Sequence, residues 1–318
     1  MTATIALVPE PTFDELRAQL GRLPVTLIPY TEEGPLPAVL GDAQVVFRWV
    51  AGKRYAELVQ QGRSVRWLHT ASAGVDHVLP AVREKPDLIV TDSGPAFAIA
   101  IGEFVVGWML ALAHRFPELL AQQRQRQWHA LSQEELSGQT VGIVGLGPIG
   151  QGIAERCRAL GMTTLGLRRR AEPCPQVDET LTGDDGLEVL LRRSDWLVLA
   201  AALTDETRTL IGETELSRMK PSARIVNIAR GPIVDQAALI AALTSGRLAG
   251  AVLDVFEREP LPHDCALWTL PNVIVTPHNS PGWTVGLRRR QQKLFLENLR
   301  RFVDGEPLDG QVDLARGY

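Results

Sequence analysis

The chain has 318 residues, 45% hydrophobic and 22% charged, which suits two folded domains and excludes a disordered or fibrous protein. Thirty-three Lys and Arg against 37 Asp and Glu leave a formal charge of -4, with no basic run long enough for a nucleic-acid tail. Cys157, Cys174 and Cys265 are an odd number without metal-site spacing, which argues against a disulfide framework and for a reducing compartment.

The run from Met1 to Glu10 has no basic stretch ahead of an apolar one, so no signal peptide is expected. The most apolar stretch, residues 104–113, is far shorter than a bilayer crossing needs. The expectation is a cytoplasmic protein with no membrane and no nucleic-acid partner.

The first hundred residues alternate β-rich runs (4–8, 25–28, 44–47, 65–68 and 87–90) with helical patterns (12–20 and 54–61). Such alternation predicts a parallel sheet with helices on its faces. Residues 98–120 read as one long helix, with Pro117 as a point where it kinks or divides. Residues 122–127 alternate Gln with Arg and read as a solvated helix face or connection.

Beyond them come six apolar runs of strand length, at 140–144, 163–167, 196–200, 224–228, 250–254 and 272–276. Continuous apolarity, rather than alternation, marks strands buried on both faces, and six of them with crossovers predict a doubly wound nucleotide-binding sheet. A last helix over 285–302, after Pro281-Gly282-Trp283, would return the chain to the first domain. The expected division is a substrate domain of residues 1–100 plus 284–318 and a dinucleotide-binding domain of residues 101–283.

Gly145, Gly147 and Gly150 form G-x-G-x-x-G directly after an apolar strand, while Ile149, Ile153, Cys157 and Leu160 follow at helical spacing. The first glycine suits the tight turn, the second lets a pyrophosphate approach, and the third lets helix and strand pack closely. With Pro148 and Ile149 the motif opens a helix whose N-terminal N–H groups can face phosphates. About twenty residues on, NAD sites place an acid for the ribose hydroxyls, but here stand Arg168, Arg169 and Arg170. Guanidinium forks there would suit a 2′-phosphate, so NADP(H) is the preferred cofactor, with NAD(H) beside a solvated basic turn as the alternative.

The segments Ser72-Ala73-Gly74-Val75-Asp76, the glycine turn, Asn227-Ile228-Ala229-Arg230-Gly231, Asp254-Val255-Phe256-Glu257-Arg258-Glu259-Pro260 and Thr276-Pro277-His278 occur in this order. Together they resemble the D-isomer-specific 2-hydroxyacid dehydrogenases, the group that includes the glyoxylate/hydroxypyruvate reductases. The resemblance covers nearly the whole chain, most strongly 136–280 and more weakly before Ser72. It implies an α/β fold of two Rossmann-like domains, the doubly wound one and a smaller flavodoxin-like substrate domain. It also implies catalytic roles for Arg230, Glu259 and His278.

Each suits the chemistry of reducing a 2-oxo acid. Arg230 follows an apolar run, at a strand's carboxyl end, and its guanidinium can grip a carboxylate while polarising the neighbouring carbonyl. His278 follows the last run and can give a proton to the alkoxide that hydride transfer creates. Glu259 would bond the other ring nitrogen, orient the imidazole and favour its protonated form.

By the same resemblance, Asp254 binds the nicotinamide carboxamide, and Ser72, Ala73 and Gly74 hold the substrate carboxylate through backbone N–H groups. Thr204 falls on the nicotinamide side, though its position also suits a loop cap. His77 follows Gly74 closely enough to border the same loop, and Trp283 suits either the substrate cleft or hinge packing. Asp92 departs from the family, where Asn is common. A homodimer built on the long helix, with residues 122–136 reaching to the partner, is implied as well. The six histidines show no metal spacing, and no metal is expected. The reaction expected is NAD(P)-dependent reduction of a small 2-oxo acid, such as glyoxylate or hydroxypyruvate, to the D-2-hydroxy acid. An NAD-dependent dehydrogenase of a bulkier acid and a non-enzymatic cofactor-sensing protein are the rivals.

Overall fold

The computed structural model describes residues 3–49, 52–82, 85 and 87–317; Met1 and Thr2 of the N-terminal run lie outside them. The chain divides into two compact units, Met1–Phe97 with Trp283–Tyr318, and Ala98–Gly282.

The first unit opens with β1 (Thr4–Pro9), α1 (Glu10–Gln19), β2 (Val25–Tyr30), β3 (Val45–Arg48), α2 (Tyr55–Gln61), β4 (Trp67–Thr70), α3 (Leu79–Val82) and β5 (Ile89–Thr91). All the strand pairs are parallel, in the order β2-β1-β3-β4-β5, which is the flavodoxin-like order. Carboxyl ends therefore share one edge, and both Arg48 and the 72–74 loop emerge there.

The chain leaves this unit along α4 (Gly94–Ala113) and continues in α5 (Phe116–Gln125). The helix expected over 98–120, with Pro117 as a point where it kinks or divides, is divided into these two, though the break falls at Arg115. Arg115 adopts a left-handed φ of 54° and breaks the hydrogen-bond ladder, and Pro117 then sits in the first turn of α5, where a missing N–H costs nothing. The apolar stretch was also underestimated. Helix α4 is 20 residues long with a mean hydropathy of 2.0, long and apolar enough by length and composition to cross a membrane. Ala and Gly continue the helix through Glu103, so the apolar segment extends well beyond residues 104–113. Buried positions on it include Ile101, Val105 and Met109, and 39% of its apolar window is buried.

The second unit contains β6 (Thr140–Val144), α6 (Pro148–Ala159), β7 (Thr163–Leu167), β8 (Glu179–Leu181), α7 (Gly183–Arg193), β9 (Trp196–Leu199), α8 (Glu213–Arg218), β10 (Arg224–Asn227), α9 (Gln236–Thr244), β11 (Gly250–Leu253) and β12 (Val273–Val275). The seven strands are parallel in the order β12-β11-β10-β9-β6-β7-β8, a doubly wound sheet whose strand order reverses between β6 and β9. One more strand is present than the six expected. β8 has only three half-buried residues and no apolar run to mark it. In contrast, every residue of β9 and β11 is buried, because helices cover both faces of a parallel sheet.

Helix α10 (Val285–Asp304) ends the fold in the first unit. The Thr284 hydroxyl caps it by accepting from Leu287 N at 3.0 Å, and Gly305 closes it in the left-handed conformation. Its Phe295 stacks on Phe47 at 4.5 Å and on Trp67 at 5.5 Å, fixing helix to sheet.

Candidate active site

Strand β6 delivers the chain into the glycine turn at the switch point of the sheet. Gly145 has φ +96°, a conformation that L side chains avoid, and a Cβ on Gly150 would lie 1.9 Å from the Gly145 carbonyl oxygen. The turn and α6 can meet this closely only through glycine. Above Gly147 the space for a Cβ is open, so a ligand can approach its backbone directly. Pro148 occupies the first turn of the 12-residue α6, whose remaining N-terminal N–H groups lack intrahelical acceptors. These features fit a dinucleotide's pyrophosphate. Strand β7 then ends at Leu167, and Arg168, Arg169 and Arg170 follow, half-buried to exposed.

The carboxyl ends of the central strands carry the remaining residues of this unit. After β10, Asn227 Oδ1 accepts from Ala229 N at 3.1 Å and its Nδ2 donates to the Arg230 carbonyl at 3.1 Å, shaping the turn that presents Arg230. A Cβ on Gly231 would lie 1.9 Å from the Phe256 carbonyl carbon, so this turn is pressed against the backbone that leads to Glu259. Glu259 Oε1 accepts from Phe256 N at 3.0 Å, and its Oε2 lies 2.7 Å from His278 Nδ1. Nε2 is the ring nitrogen left to face a reactant.

A family model described as the NAD binding domain of the D-isomer specific 2-hydroxyacid dehydrogenases matches residues 106–280. This chain belongs to that family. It is similar to the glyoxylate reductase of Thermococcus gammatolerans, 35% identical over 312 residues that cover 94% of this chain and 91% of that protein. It is also similar to the D-3-phosphoglycerate dehydrogenase of Methanocaldococcus jannaschii, 32% identical over 86% of this chain, but it spans only 52% of that longer protein. Among solved structures, the NADPH-dependent glyoxylate/hydroxypyruvate reductase of Sinorhizobium meliloti, in complex with NADP and sulfate, matches with a TM-score of 0.82 and 27% identity, over 99% of this chain and all of that one.

In this 2-hydroxyacid dehydrogenase Asp254 is fully buried and is tied into the protein as well as placed at the sheet edge. Its Oδ1 accepts from Thr276 Oγ1 at 2.6 Å and Asn279 N at 2.8 Å, and its Oδ2 from Ser280 N at 2.9 Å. One carboxylate thus clamps both sides of His278, which holds a left-handed φ of 47° and donates its N–H to the Thr276 carbonyl at 3.0 Å. Neither the clamp nor the strained backbone was evident from residue types alone. Thr204 sits in a tight local turn, where its N–H donates to Thr207 Oγ1 at 2.8 Å, as a loop cap does.

The 72–74 loop belongs to the first unit and is built from three directions. The Ser72 carbonyl accepts from Ser93 N at 3.0 Å, and the Ala71 carbonyl from Gln291 Nε2 at 2.5 Å. The Ser72 hydroxyl lies 2.7 Å from Thr70 Oγ1, 3.3 Å from His77 Nε2 and 3.1 Å from Arg48 Nη1. Arg48 and Gln291 were missed by the sequence reading. The one available signal was a basic residue closing the apolar run Val45-Val46-Phe47. Trp283 stacks on Trp49 with ring centres 5.9 Å apart, and the Arg288 guanidinium lies 5.7 Å from the Trp49 ring. The thiol of Cys157 is buried and pushed up to about 12 by desolvation, which makes it core rather than nucleophile.

Proposed function

We propose that this chain reduces a small 2-oxo acid of the glyoxylate or hydroxypyruvate kind to the D-2-hydroxy acid, with NADPH preferred over NADH. The observation that carries the reading is the 2.7 Å contact between Glu259 and His278, held at the carboxyl edge of the sheet that also bears the glycine turn and Arg230. NADPH, when bound, supplies a hydride for C2 of the 2-oxo acid. His278 keeps a proton on Nε2 and delivers it to the C2 oxygen, while Glu259 orients the ring and balances the imidazolium charge. The planar fork of Arg230 grips the carboxylate and polarises the C2 carbonyl. Ser72, Ala73 and Gly74 add backbone N–H groups for the carboxylate. Gly145, Gly147, Pro148, Ile149 and Gly150 hold the pyrophosphate, and Asp254 and Thr204 serve the nicotinamide side. On this reading residues 1–100 plus 284–318 are the substrate domain and residues 101–283 the cofactor domain.

The NADPH preference is supported by Arg168 and Arg169 standing where NAD sites carry an acid, and by the NADP bound to the Sinorhizobium relative. A homodimer is supported by exposed apolar side chains on α4, α5 and the segment after them, Ile99, Phe116, Leu120 and the 98% exposed Trp128. Sedimentation at micromolar concentration tests it, and a monomer overturns it. Three free thiols agree with a cytoplasmic setting, and the net charge of -4 with the absence of a nucleic-acid partner.

A screen crossing NADH and NADPH with glyoxylate, hydroxypyruvate, pyruvate, phenylpyruvate and branched-chain 2-oxo acids tests the whole reading. The expected result is fastest NADPH oxidation with glyoxylate and hydroxypyruvate. If no 2-oxo acid speeds NADPH oxidation above the rate without substrate, the enzyme reading falls.

A further inference from the structure

Arg48 closes β3 and is only 6% exposed. Its Nε donates to the Gly52 carbonyl at 3.0 Å, and Nη1 donates to Thr70 Oγ1 and Ser72 Oγ, both at 3.1 Å. The guanidinium lies 5.0 Å from the Tyr55 ring centre. Every one of these partners is neutral. Among the described residues no carboxylate lies within ion-pair distance of it. Glu32, whose field it feels, accepts from the N–H groups of Lys53 at 2.9 Å and Arg54 at 3.0 Å.

A charge withdrawn from water without a counter-charge is costly, and Arg cannot escape the cost by losing its proton. Burial does press Arg48 toward the neutral form. Nη2 adds two N–H donors that no acceptor among the described residues takes. Thus a buried cation with spare donors sits 3.1 Å from the hydroxyl of Ser72, with no anion among the described residues to pair it.

We propose that Arg48 is a specificity-determining residue that charges the 72–74 loop, so that the substrate's carboxylate docks on that loop against a fixed cation. This rests on the reading of the loop as a carboxylate site. A purely structural arginine, there only to tie Gly52, Thr70 and Ser72 together, would need donors but no charge. That difference can be measured.

The test compares Arg48→Gln, a neutral side chain that can still donate to the two hydroxyls, with Arg48→Lys, which keeps the charge and loses the fork. Each is assayed for kcat and KM with glyoxylate and hydroxypyruvate. Each is also titrated, loaded with NADPH, with oxamate, an unreactive carboxylate shaped like a 2-oxo acid. Arg48→Gln is expected to raise KM and the oxamate Kd together by about 10- to 100-fold, the worth of a charge-assisted hydrogen bond, with kcat within about threefold and NADPH affinity unchanged. Arg48→Lys should recover part of that loss. If Gln matches the parent, or if Gln binds oxamate as well as or better than Lys, the charge has no role and the proposal is overturned. Should the Gln variant not fold, Lys alone decides: KM within about tenfold of the parent supports the charge, and a larger loss sinks it. Failure of the parent on every 2-oxo acid would count against the enzyme reading instead, and the oxamate titrations would still report on Arg48.

Discussion

The Nδ1 atom of His278 stands 2.7 Å from Oε2 of Glu259, and the backbone of that histidine is held in a left-handed turn by Asp254 on either side. Ring orientation and ring position thus have separate keepers. His278→Ala should leave NADPH affinity intact and cut reduction by about 10²- to 10⁴-fold, the usual worth of a positioned proton donor. Glu259→Gln should act through the histidine: the ring loses the charged acceptor that orients it, so kcat should fall while KM for the 2-oxo acid and NADPH affinity stay near the parent's. Steady-state kinetics with a cofactor titration decide this. A variant with parental kcat would contradict the orienting role.

Asp254→Asn tests the keeper of position. An amide oxygen can accept from Thr276 and Asn279, but the amide N–H group would then face Ser280 N–H, donor against donor. Losing one charge-assisted bond and leaving a buried donor unpaired should cost about 2–4 kcal/mol of stability. The turn should loosen with it, and kcat should fall more than KM for the 2-oxo acid. Denaturant unfolding together with steady-state kinetics would show both effects. A variant with parental stability and parental kcat would mean that the clamp does not hold His278.

The glycine turn was legible because Gly145 and Gly150 are demanded by a positive φ and by a backbone contact too close for a Cβ, and such demands leave glycines at fixed spacing. The central strands were legible because burial on both faces makes them continuously apolar. What stayed hidden depends on contacts between distant residues. Gln291 reaches the Ala71 carbonyl across 220 positions, and Arg48 meets Ser72 across 24, so no local pattern announces either. β8 was hidden for another reason: an edge strand of Glu179, Thr180 and Leu181 needs only backbone pairing with β7, not an apolar sequence. The break before α5 lies at Arg115, and no residue type marks a left-handed arginine in advance.

Arg230→Lys separates a planar fork from a point charge. The Asn227 and Gly231 contacts that shape its turn are backbone and neighbour contacts, which the substitution leaves in place. An ammonium can still attract a carboxylate but cannot hold carboxylate and carbonyl together in one plane. The expected result is a loss in kcat/KM of about 10²-fold or more, with NADPH binding unchanged. Activity near the parent's would count against the two-point grip.

Arg168 and Arg169 follow β7 and should discriminate between the two nicotinamide cofactors, since the glycine turn serves a pyrophosphate common to both. Replacing either by Ala should weaken NADPH by roughly 10- to 150-fold, the equivalent of about 1.5–3 kcal/mol, and leave NADH nearly unchanged. Arg168→Asp should do more, because a carboxylate would repel the 2′-phosphate and offer the ribose hydroxyls of NADH a partner. Dissociation constants for both cofactors at one ionic strength are the measurement. A parent that prefers NADH, or a ratio untouched by all three substitutions, overturns the assignment.

Asp92 allows a prediction about stability with a definite pH window. It lies two residues before α4, where its Oδ1 accepts from Gly94 N at 2.6 Å, and burial pushes its carboxyl up from 3.8 to about 6 against the smaller opposing effect of that bond. A raised carboxyl means that the fold favours the neutral acid over the carboxylate. The penalty is therefore absent below about pH 4, grows between pH 4 and 6, and is complete above pH 6. At about 1.4 kcal/mol for each pKa unit it amounts to at most about 3 kcal/mol. Asp92→Asn removes the charge and keeps an oxygen for Gly94 N, so the variant should be the more stable protein at pH 7 to 8 and equal to the parent near pH 4. Nearby His69 is held neutral by burial, down to about 3, and contributes equally to parent and variant, so it cancels from the difference. Denaturant unfolding of both proteins at pH 4, 5, 6, 7 and 8 gives that difference directly. A gap that is constant across the series would place the effect in packing rather than in the carboxylate's charge, and a variant less stable at pH 8 would refute the argument.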